Sequence, residues 1–289
     1  MKPMRKPFRL DPIFPFEIVF EQLRTTRNEL PDHLHDLYEL VYIHRGNGTI
    51  FIDNALYEQK PGDLFLIPGN TIHRAFSNAA EPVVSTAVFF APAFIRSEWV
   101  DDGYAPLKGF DIARHKGRYK LSLPDELQQR FQSVLSDIDR ETKSKEVGYR
   151  HAVRMQLQRL LLWVNRIPAA RDPDSNANTR IGPHWMLDAM REIDRDPVQA
   201  GGLAELSAKA GVTAPHFSRV FKQFTGMNLI DYVTVKRIVR VKSLLLASDD
   251  NVEAIALECG FQSLPHFYLT FKKLTGMTPR AYRNSYLEP

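Results

Sequence analysis

The sequence predicts an α+β protein with more than one domain: a β-rich N-terminal part, a helical middle region and an all-helical C-terminal part. Three observations lead to this fold class. Short apolar stretches separated by turn residues run to about residue 92, two amphipathic stripes with helical spacing follow, and one helical pattern occurs twice near the C-terminus. A chain of 289 residues is long enough for two domains that each bury a core. We place the domain boundaries at residues 1–120, 121–182 and 183–289.

The composition is that of an ordinary globular protein, with 44% hydrophobic and 25% charged residues. No apolar run approaches the roughly 18 residues of a membrane span, and the basic start MKPMRKPFRL is not followed by the apolar segment of a signal peptide. The single cysteine, Cys259, excludes a disulfide within the chain, as is typical of a reducing compartment. We therefore expect a cytoplasmic protein without a membrane partner.

The N-terminal part contains the apolar, β-branched and aromatic stretches that are typical of strands. These stretches are FEIVFEQL (16–23), YELVYIHR (38–45), GTIFID (48–53), DLFLIP (63–68) and VVSTAVFFA (83–91). Turn sequences such as RGNG, DNA and KPGD separate them. Many short strands at regular spacing predict a sandwich or a small barrel.

Two amphipathic helices are predicted after the strands, because apolar residues recur there at helical intervals. The first stripe is formed by Leu127, Phe131, Val134 and Ile138, and the second by Val153, Leu157, Leu160, Leu161 and Val164. Two such helices in succession indicate intramolecular packing or a subunit interface, so we consider this hairpin for dimerisation. The segment RIPAARDPDSNANTRIGP (166–183) is rich in Pro, Asp and Asn and is predicted to be an interdomain linker.

An internal repeat dominates the C-terminal part. The segment HFSRVFKQFTGM (216–227) returns as HFYLTFKKLTGM (266–277), and residues 215–232 match residues 265–282 at nine of eighteen positions. Chance would give about one match, so the similarity marks a true repeat.

Each copy combines helix stop and start signals in the same order. A short amphipathic segment ends at a glycine, Gly211 or Gly260, which can adopt a left-handed turn. A hydroxyl residue, Thr213 or Ser263, then serves as N-cap, a proline occupies the first turn, and two phenylalanines four residues apart mark the buried face. Helix, glycine turn and helix form a helix-turn-helix, whose second helix can enter the DNA major groove.

Charge gives a weaker signal than the repeat. The net charge is only +4. However, six cations fall in a span in which Asp231 is the one acidic residue: Arg219, Lys222, Lys236, Arg237, Arg240 and Lys242. Such a span is compatible with a face that meets phosphates or with a solvated helix surface.

On these residues the C-terminal part resembles the AraC family of bacterial transcription regulators. The matching segments are AGVTAPHFSRVFKQFTG, YVTVKRIVRVKSLL, AIALECGF and HFYLTFKKLTGMTPRAYR, which together extend across residues 183–289. The resemblance implies a domain of about seven helices with two helix-turn-helix units, joined by a helix around Tyr232–Ala247, that read consecutive major grooves about one helical turn apart.

The resemblance also assigns DNA-contacting positions. On the first recognition helix, the family meets bases at Pro215, Ser218 and Arg219 and lies near the backbone at Thr213, His216 and Lys222. On the second, the corresponding residues are His266, Tyr268, Lys272 and Lys273, with Leu269 at the position equivalent to Arg219. Because a guanidinium can bond bidentately to guanine and a leucine cannot, we expect the first helix to supply most of the hydrogen-bonded base readout.

The histidines of the N-terminal part form a second pattern. The spacing H-x-H-x3-E-x6-G is met by His33, His35, Glu39 and Gly46, and the spacing G-x5-P-x4-H by Gly62, Pro68 and His73. These motifs resemble those of the cupin barrel, in which three histidines and the glutamate coordinate a divalent ion in the metal-binding members. The sequence departs from the cupin pattern at Asn70, Ser77 and Arg27. Sensor domains of the AraC family use the same barrel, commonly for a small organic effector without a metal.

Three interpretations of His33, His35, Glu39 and His73 therefore stay open. They line an effector pocket as hydrogen-bonding groups, they hold a divalent metal such as Mn, Fe, Ni or Zn, or they are satisfied core residues. No cofactor is expected beyond such a metal.

The function that these observations favour is a sequence-specific DNA-binding transcription regulator, controlled by a small effector in the N-terminal barrel. The expected partners are double-stranded operator DNA, a small-molecule effector, RNA polymerase and a second copy of the chain. Two alternatives remain: a cupin metalloenzyme with an appended helical domain, and a helical protein-interaction module. We find neither a glycine-rich phosphate loop nor a spacing that singles out a nucleophile and a base, so enzyme activity is not predicted.

Overall fold

The computed structural model describes residues 4–5, 11, 13–25, 33–53, 55–78, 80–95, 104–167, 183–225 and 227–287. Contacts divide the chain into two compact units. The N-terminal unit comprises Pro7–Leu30 and His35–Ile181, and the C-terminal unit comprises Met1–Lys6, Pro31–Leu34 and Gly182–Pro289. Arg27 and most of the predicted linker, residues 168–182, lie outside the described residues.

The strands are β1 (Met4–Arg5), β2 (Phe16–Leu23), β3 (His33–Leu34), β4 (Tyr38–Arg45), β5 (Gly48–Ile52), β6 (Ala55–Gln59), β7 (Asp63–Ile67), β8 (His73–Ser77), β9 (Val84–Phe90) and β10 (Lys120–Ser122). In the N-terminal unit, β10, β7, β4, β9 and β2 form one antiparallel sheet in that order. In the second sheet, β5 pairs with β6 and β8. Both sheets contribute to one core and are open among the described strands, so the predicted β-rich domain is confirmed. In the C-terminal unit, β1 and β3 pair in parallel.

The helices are α1 (Lys108–Lys116), α2 (Asp125–Ser144), α3 (Tyr149–Arg166), α4 (His184–Arg195), α5 (Leu203–Lys209), α6 (Ala214–Thr225), α7 (Leu229–Ala247), α8 (Val252–Glu258), α9 (Leu264–Thr275) and α10 (Pro279–Leu287), with a 3₁₀ turn at Pro92–Ile95. Both predicted amphipathic stripes are confirmed on α2 and α3. All of their residues are buried except Leu127, which is partly buried, and they pack into the same core as the strands. None of the described helices is both long and apolar enough to cross a membrane.

The strand β4 lies in the middle of the larger sheet, with β7 on one side and β9 on the other. Tyr42 points to α2, where its ring lies 5.6 Å from that of Phe131 and its hydroxyl accepts a hydrogen bond from Gln132 at 2.8 Å. Since neighbouring strand residues point to opposite faces, Glu39 points away from α2 and enters the space between the sheets. A buried carboxylate on a central strand needs polar partners, and Glu39 has them in His35 and His73.

Seven of the described helices, α4 to α10, lie in the C-terminal unit, in agreement with the family resemblance. The repeated phenylalanines form much of its core. The ring centroids of Phe217 and Phe221 are 5.8 Å apart, as are those of Phe267 and Phe271. Tyr232 of α7 meets Phe221 edge-on at 5.3 Å, so the long connecting helix packs directly on the first recognition helix.

The turn glycines of the two helix-turn-helix units have the same backbone conformation but different surroundings. Gly211 has φ +66° and Gly260 has φ +84°, so both adopt the predicted left-handed conformation. At Gly260, Arg237 of α7 donates to the carbonyl at 3.0 Å, and an added Cβ would approach the guanidinium carbon to 3.1 Å. At Gly211, an added Cβ would meet nothing within 4 Å among the described residues.

Alanine should therefore have unequal costs at these two positions. We expect Gly211→Ala to lower the free energy of unfolding by about 1–2 kcal/mol, the cost of a left-handed alanine. Gly260→Ala should cost more, because Arg237 must also move. Urea denaturation of the two full-length variants measures the difference. Equal costs would show that Arg237 does not constrain the second turn.

Candidate nucleic-acid interface and ligand site

A repeated threonine fixes the end of each second helix. Thr225 donates its hydroxyl to the carbonyl four residues earlier at 2.8 Å and accepts from the N–H two residues later at 3.2 Å. Thr275 makes the same two bonds at 2.8 and 3.4 Å. The repeat contained these threonines, but sequence reasoning did not assign them a role. Their bonds end α6 and α9 at equivalent positions, so the outward side chains of the two helices correspond.

The first recognition helix, α6, presents most of its predicted contact residues to solvent. Thr213 caps its start, since the hydroxyl accepts from the N–H of His216 at 3.4 Å. Ser218 is half-buried, and the exposed residues are Pro215, His216, Arg219 and Lys222. An Arg219 Nη2 lies 3.1 Å from His216 Nδ1, which must accept because a guanidinium only donates. A guanidinium has several N–H groups, so this bond leaves donors for a base edge.

The second recognition helix, α9, has a different outward face. Ser263 caps its start, accepting from the N–H of His266 at 3.4 Å. His266, Lys272 and Lys273 are exposed. Tyr268 donates its hydroxyl to Glu253 of α8 at 2.9 Å, a partner that the sequence did not indicate. Burial, together with this neighbouring carboxylate, raises the pKa of the Tyr268 hydroxyl.

The span of six cations does not form one basic face. Lys236 and Arg240 form ion pairs with acidic residues at the end of α4, at 2.5 and 3.3 Å. Arg237 holds the second turn, and Lys242 is only 2% exposed. The remaining two cations, both on α6, are the exposed ones. Of the two interpretations left open for the span, a phosphate-binding face and a solvated helix surface, neither describes α7, because its cations make internal contacts.

In the N-terminal unit, three of the predicted ligand residues meet in the core. His35 Nε2 and His73 Nε2 each lie 3.0 Å from the same oxygen, Glu39 Oε2. The exposed fractions of the three residues are 2%, 3% and 5%. The two rings cross edge-on with centroids 5.1 Å apart, and a ring nitrogen of one lies within 4.8 Å of a ring nitrogen of the other. Two imidazoles therefore contact the same carboxylate oxygen in a place that is shielded from solvent.

The backbone fixes the orientation of both rings. His35 Nδ1 lies 2.9 Å from the carbonyl of Leu37, and His73 Nδ1 lies 2.9 Å from the carbonyl of Thr71. Because a carbonyl only accepts, each Nδ1 carries a proton. A neutral ring would then direct the Nε2 lone pair at a carboxylate oxygen. A lone pair that faces a carboxylate oxygen is unfavourable. The cluster therefore requires that a ring carry a proton on Nε2 as well, or that a cation or a hydrogen-bond donor lie between the ring nitrogens and the carboxylate.

The charge of Glu39 follows from the same contacts. Burial by itself would raise the pKa of its carboxyl group, but the positive charge and hydrogen bonds of His73 and His35 outweigh burial and hold the pKa well below the usual range. The fourth residue of the predicted set, His33, is also buried. It lies on β3, which belongs to the C-terminal unit, so its place beside Glu39 stays a prediction.

Two protein-family models match the chain. The model described as an AraC-like ligand binding domain matches residues 16–161, about half of the chain, and a helix-turn-helix domain matches residues 206–285. The HTH-type transcriptional activator RhaR of Enterobacter sp. (strain 638) is 23% identical over 263 residues, which cover 90% of this chain and 89% of that protein. RhaR of Escherichia coli (strain K12) is 24% identical with the same coverage.

Solved structures are also similar to this chain. ToxT from Vibrio cholerae O395 has 16% identity and a TM-score of 0.37, with 95% of this chain and 99% of that chain covered. The DNA-binding domain of AdpA in complex with a target DNA has 26% identity and a TM-score of 0.33, with 34% of this chain and 89% of that chain covered.

Proposed function

This chain belongs to the AraC family of transcription regulators, and from this premise we propose how it binds DNA and its effector. It is a DNA-binding transcription regulator controlled by an effector. The helix-turn-helix units bind double-stranded operator DNA, and the β-rich unit receives the effector. Binding of the effector changes the affinity for the operator or the contact with the transcription machinery.

This proposal depends on one observation: both recognition helices are capped, and their outward faces present different side chains. On α6, the residues proposed to meet base edges are Pro215, Ser218 and Arg219, while the backbone-contacting residues are Thr213, His216 and Lys222. On α9, the proposed contacts are His266, Tyr268, Lys272 and Lys273. Because α6 offers a guanidinium and α9 offers two lysines around a leucine, the first unit reads bases by hydrogen bonds and the second is anchored mainly by phosphates.

The proposal includes two protein partners. The first is a second copy of the chain: Met155, on the side of α3 away from its buried stripe, is 64% exposed, and methionine is enriched at protein interfaces. The second is RNA polymerase, since the relatives are named as activators. A cytoplasmic location follows from these partners.

Glu39, His35 and His73, together with His33, form the polar anchor of the proposed effector site. The carboxylate accepts hydrogen bonds, and each ring presents an Nε2 lone pair when it is neutral. A matching organic effector is therefore a small molecule that presents hydroxyl or ammonium donors. The matching family models describe a ligand-binding domain and a helix-turn-helix domain, which supports a sensor over the cupin metalloenzyme.

A divalent metal is the second candidate for this site, and the donor set fits it. Imidazole nitrogens and a carboxylate oxygen suit Mn, Fe, Ni or Zn. A hydrogen bond from the other ring nitrogen to a carbonyl, as in His35 and His73, is the arrangement that metal-ligating histidines have. These two residues and Glu39 would hold the ion, which would supply a fixed positive charge next to the carboxylate.

Selection of bound sequences tests the proposed function. The full-length protein is incubated with a randomised duplex pool at defined salt, and the bound DNA is amplified and sequenced. We expect a site of two elements about ten base pairs apart, one strongly and one weakly defined. Absence of enrichment over random DNA would remove the proposal and favour the metalloenzyme alternative.

A further inference from the structure

Leu269 occupies the centre of the outward face of α9. A helix turns by about 100° per residue, so Leu269 lies roughly 200° around the helix from Phe267. Phe267 and Phe271 are fully buried, whereas Leu269 is 73% exposed. This leucine therefore contributes little to the packing of its own unit.

Exposed basic residues flank Leu269. His266 lies three residues before it, and Lys272 and Lys273 lie three and four residues after it, so all three border the leucine on the helix surface. The neighbouring aromatic residue, Tyr268, is hydrogen-bonded to α8. An apolar centre with a cationic margin fits a surface that carries phosphates at its edges and an apolar group in its middle, and the major groove of DNA is such a surface.

Only one apolar group is available on the base edges of the major groove, the C5-methyl of thymine. Contact with a leucine removes apolar surface of both groups from water. In the first unit the equivalent position carries Arg219, which matches guanine instead. We infer that Leu269 is the specificity-determining residue of the second unit and reads a thymine methyl. This inference rests on the proposed DNA-binding function.

Uracil tests the inference, because it differs from thymine only in lacking this methyl. The probe is the duplex that the full-length protein enriches from the randomised pool, with each thymine of the weaker element replaced in turn by deoxyuridine. One replacement is expected to weaken binding of the wild-type protein by about three- to fivefold and to leave binding of Leu269→Ala unchanged. Leu257→Ala is the matched control: Leu257 is 58% exposed but lies on α8, so this variant should keep the wild-type preference for thymine.

The outcomes separate the inference from the function on which it rests. Equal effects of deoxyuridine on the wild-type protein and on Leu269→Ala would overturn the inference and leave DNA recognition intact. Failure to enrich any sequence would overturn both. Leu269→Arg gives an independent test, since we expect guanine to replace thymine at the affected position. An unchanged base preference of this variant would show that residue 269 does not face the bases.

Discussion

Arg219→Ala should relax the base preference at one operator position and weaken binding to the preferred duplex by about tenfold to a hundredfold, because a bidentate arginine–guanine pair is worth about 1–3 kcal/mol. Arg219 lies at the centre of the outward face of α6, where contact with His216 at 3.1 Å restricts its guanidinium. Competition binding of the full-length variant to the preferred duplex and to duplexes with the other base pairs at that position measures the effect.

Lys222→Ala is the matched control for this prediction. Lys222 lies three residues after Arg219 on the same helix and is also exposed. As a phosphate contact, it should affect all sequences alike, and its loss should reduce the slope of log affinity against log salt by about 1. If Arg219→Ala instead weakened binding equally on every sequence, Arg219 would be a backbone contact.

The helices α2, α3, α5, α6, α8 and α9 could be predicted because their signals are local, whereas α1 was not predicted. Every residue of the predicted α3 stripe is buried, and both turn glycines have positive φ. Ser263 and Thr213 cap the recognition helices, as expected from a hydroxyl residue beside a proline-containing first turn. Each of these features depends on residues within about one helical turn, so a single sequence contains all the necessary information.

The strands were predicted less completely, because their stability depends on distant partners. The ranges of β2 and β4 agree with prediction, since both strands are long and apolar. The strands β1, β3, β6, β8 and β10 were not predicted. Of these, β6 and β8 have only five residues each, include polar side chains and are held by pairing with β5. Short segments of this kind have no strong pattern of their own.

The pairing of the cations on α7 could not be predicted for a related reason. The acidic partners of Lys236 and Arg240 lie more than forty residues earlier in the chain, at the end of α4. A local window therefore shows these cations as unpaired, although the fold pairs them. Two of the three interpretations, both resting on the resemblance to cupins, place Glu39, His35 and His73 together. The spacing could not predict the bonds from each Nδ1 to a nearby carbonyl, because these depend on the path of the backbone.

Glu39→Ala should lower the free energy of unfolding of the N-terminal unit by about 3–5 kcal/mol, because it removes the carboxylate that two buried imidazoles share. Glu58→Ala is the control within the same unit. Glu58 forms an exposed ion pair with Lys60 at 2.9 Å, and its loss should cost only about 0–1 kcal/mol. Urea denaturation of the full-length variants at neutral pH measures both costs. A cost below about 1 kcal/mol for Glu39→Ala would contradict the pairing, since a buried carboxylate between two imidazoles cannot be lost with so small an effect.

Metal analysis makes the same variant a test of the ligand. If the cluster holds a divalent metal, the purified wild-type protein contains nearly one equivalent, a chelator lowers its stability, and Glu39→Ala shows neither property. If the cluster anchors an organic effector, the wild-type protein is metal-free and unaffected by the chelator, and the substitution abolishes the transcriptional response to that effector. The two outcomes differ because a metal stabilises the cluster without any further ligand, whereas a cluster that anchors an organic effector is held, before the effector binds, by the contacts of Glu39 with His35 and His73 alone.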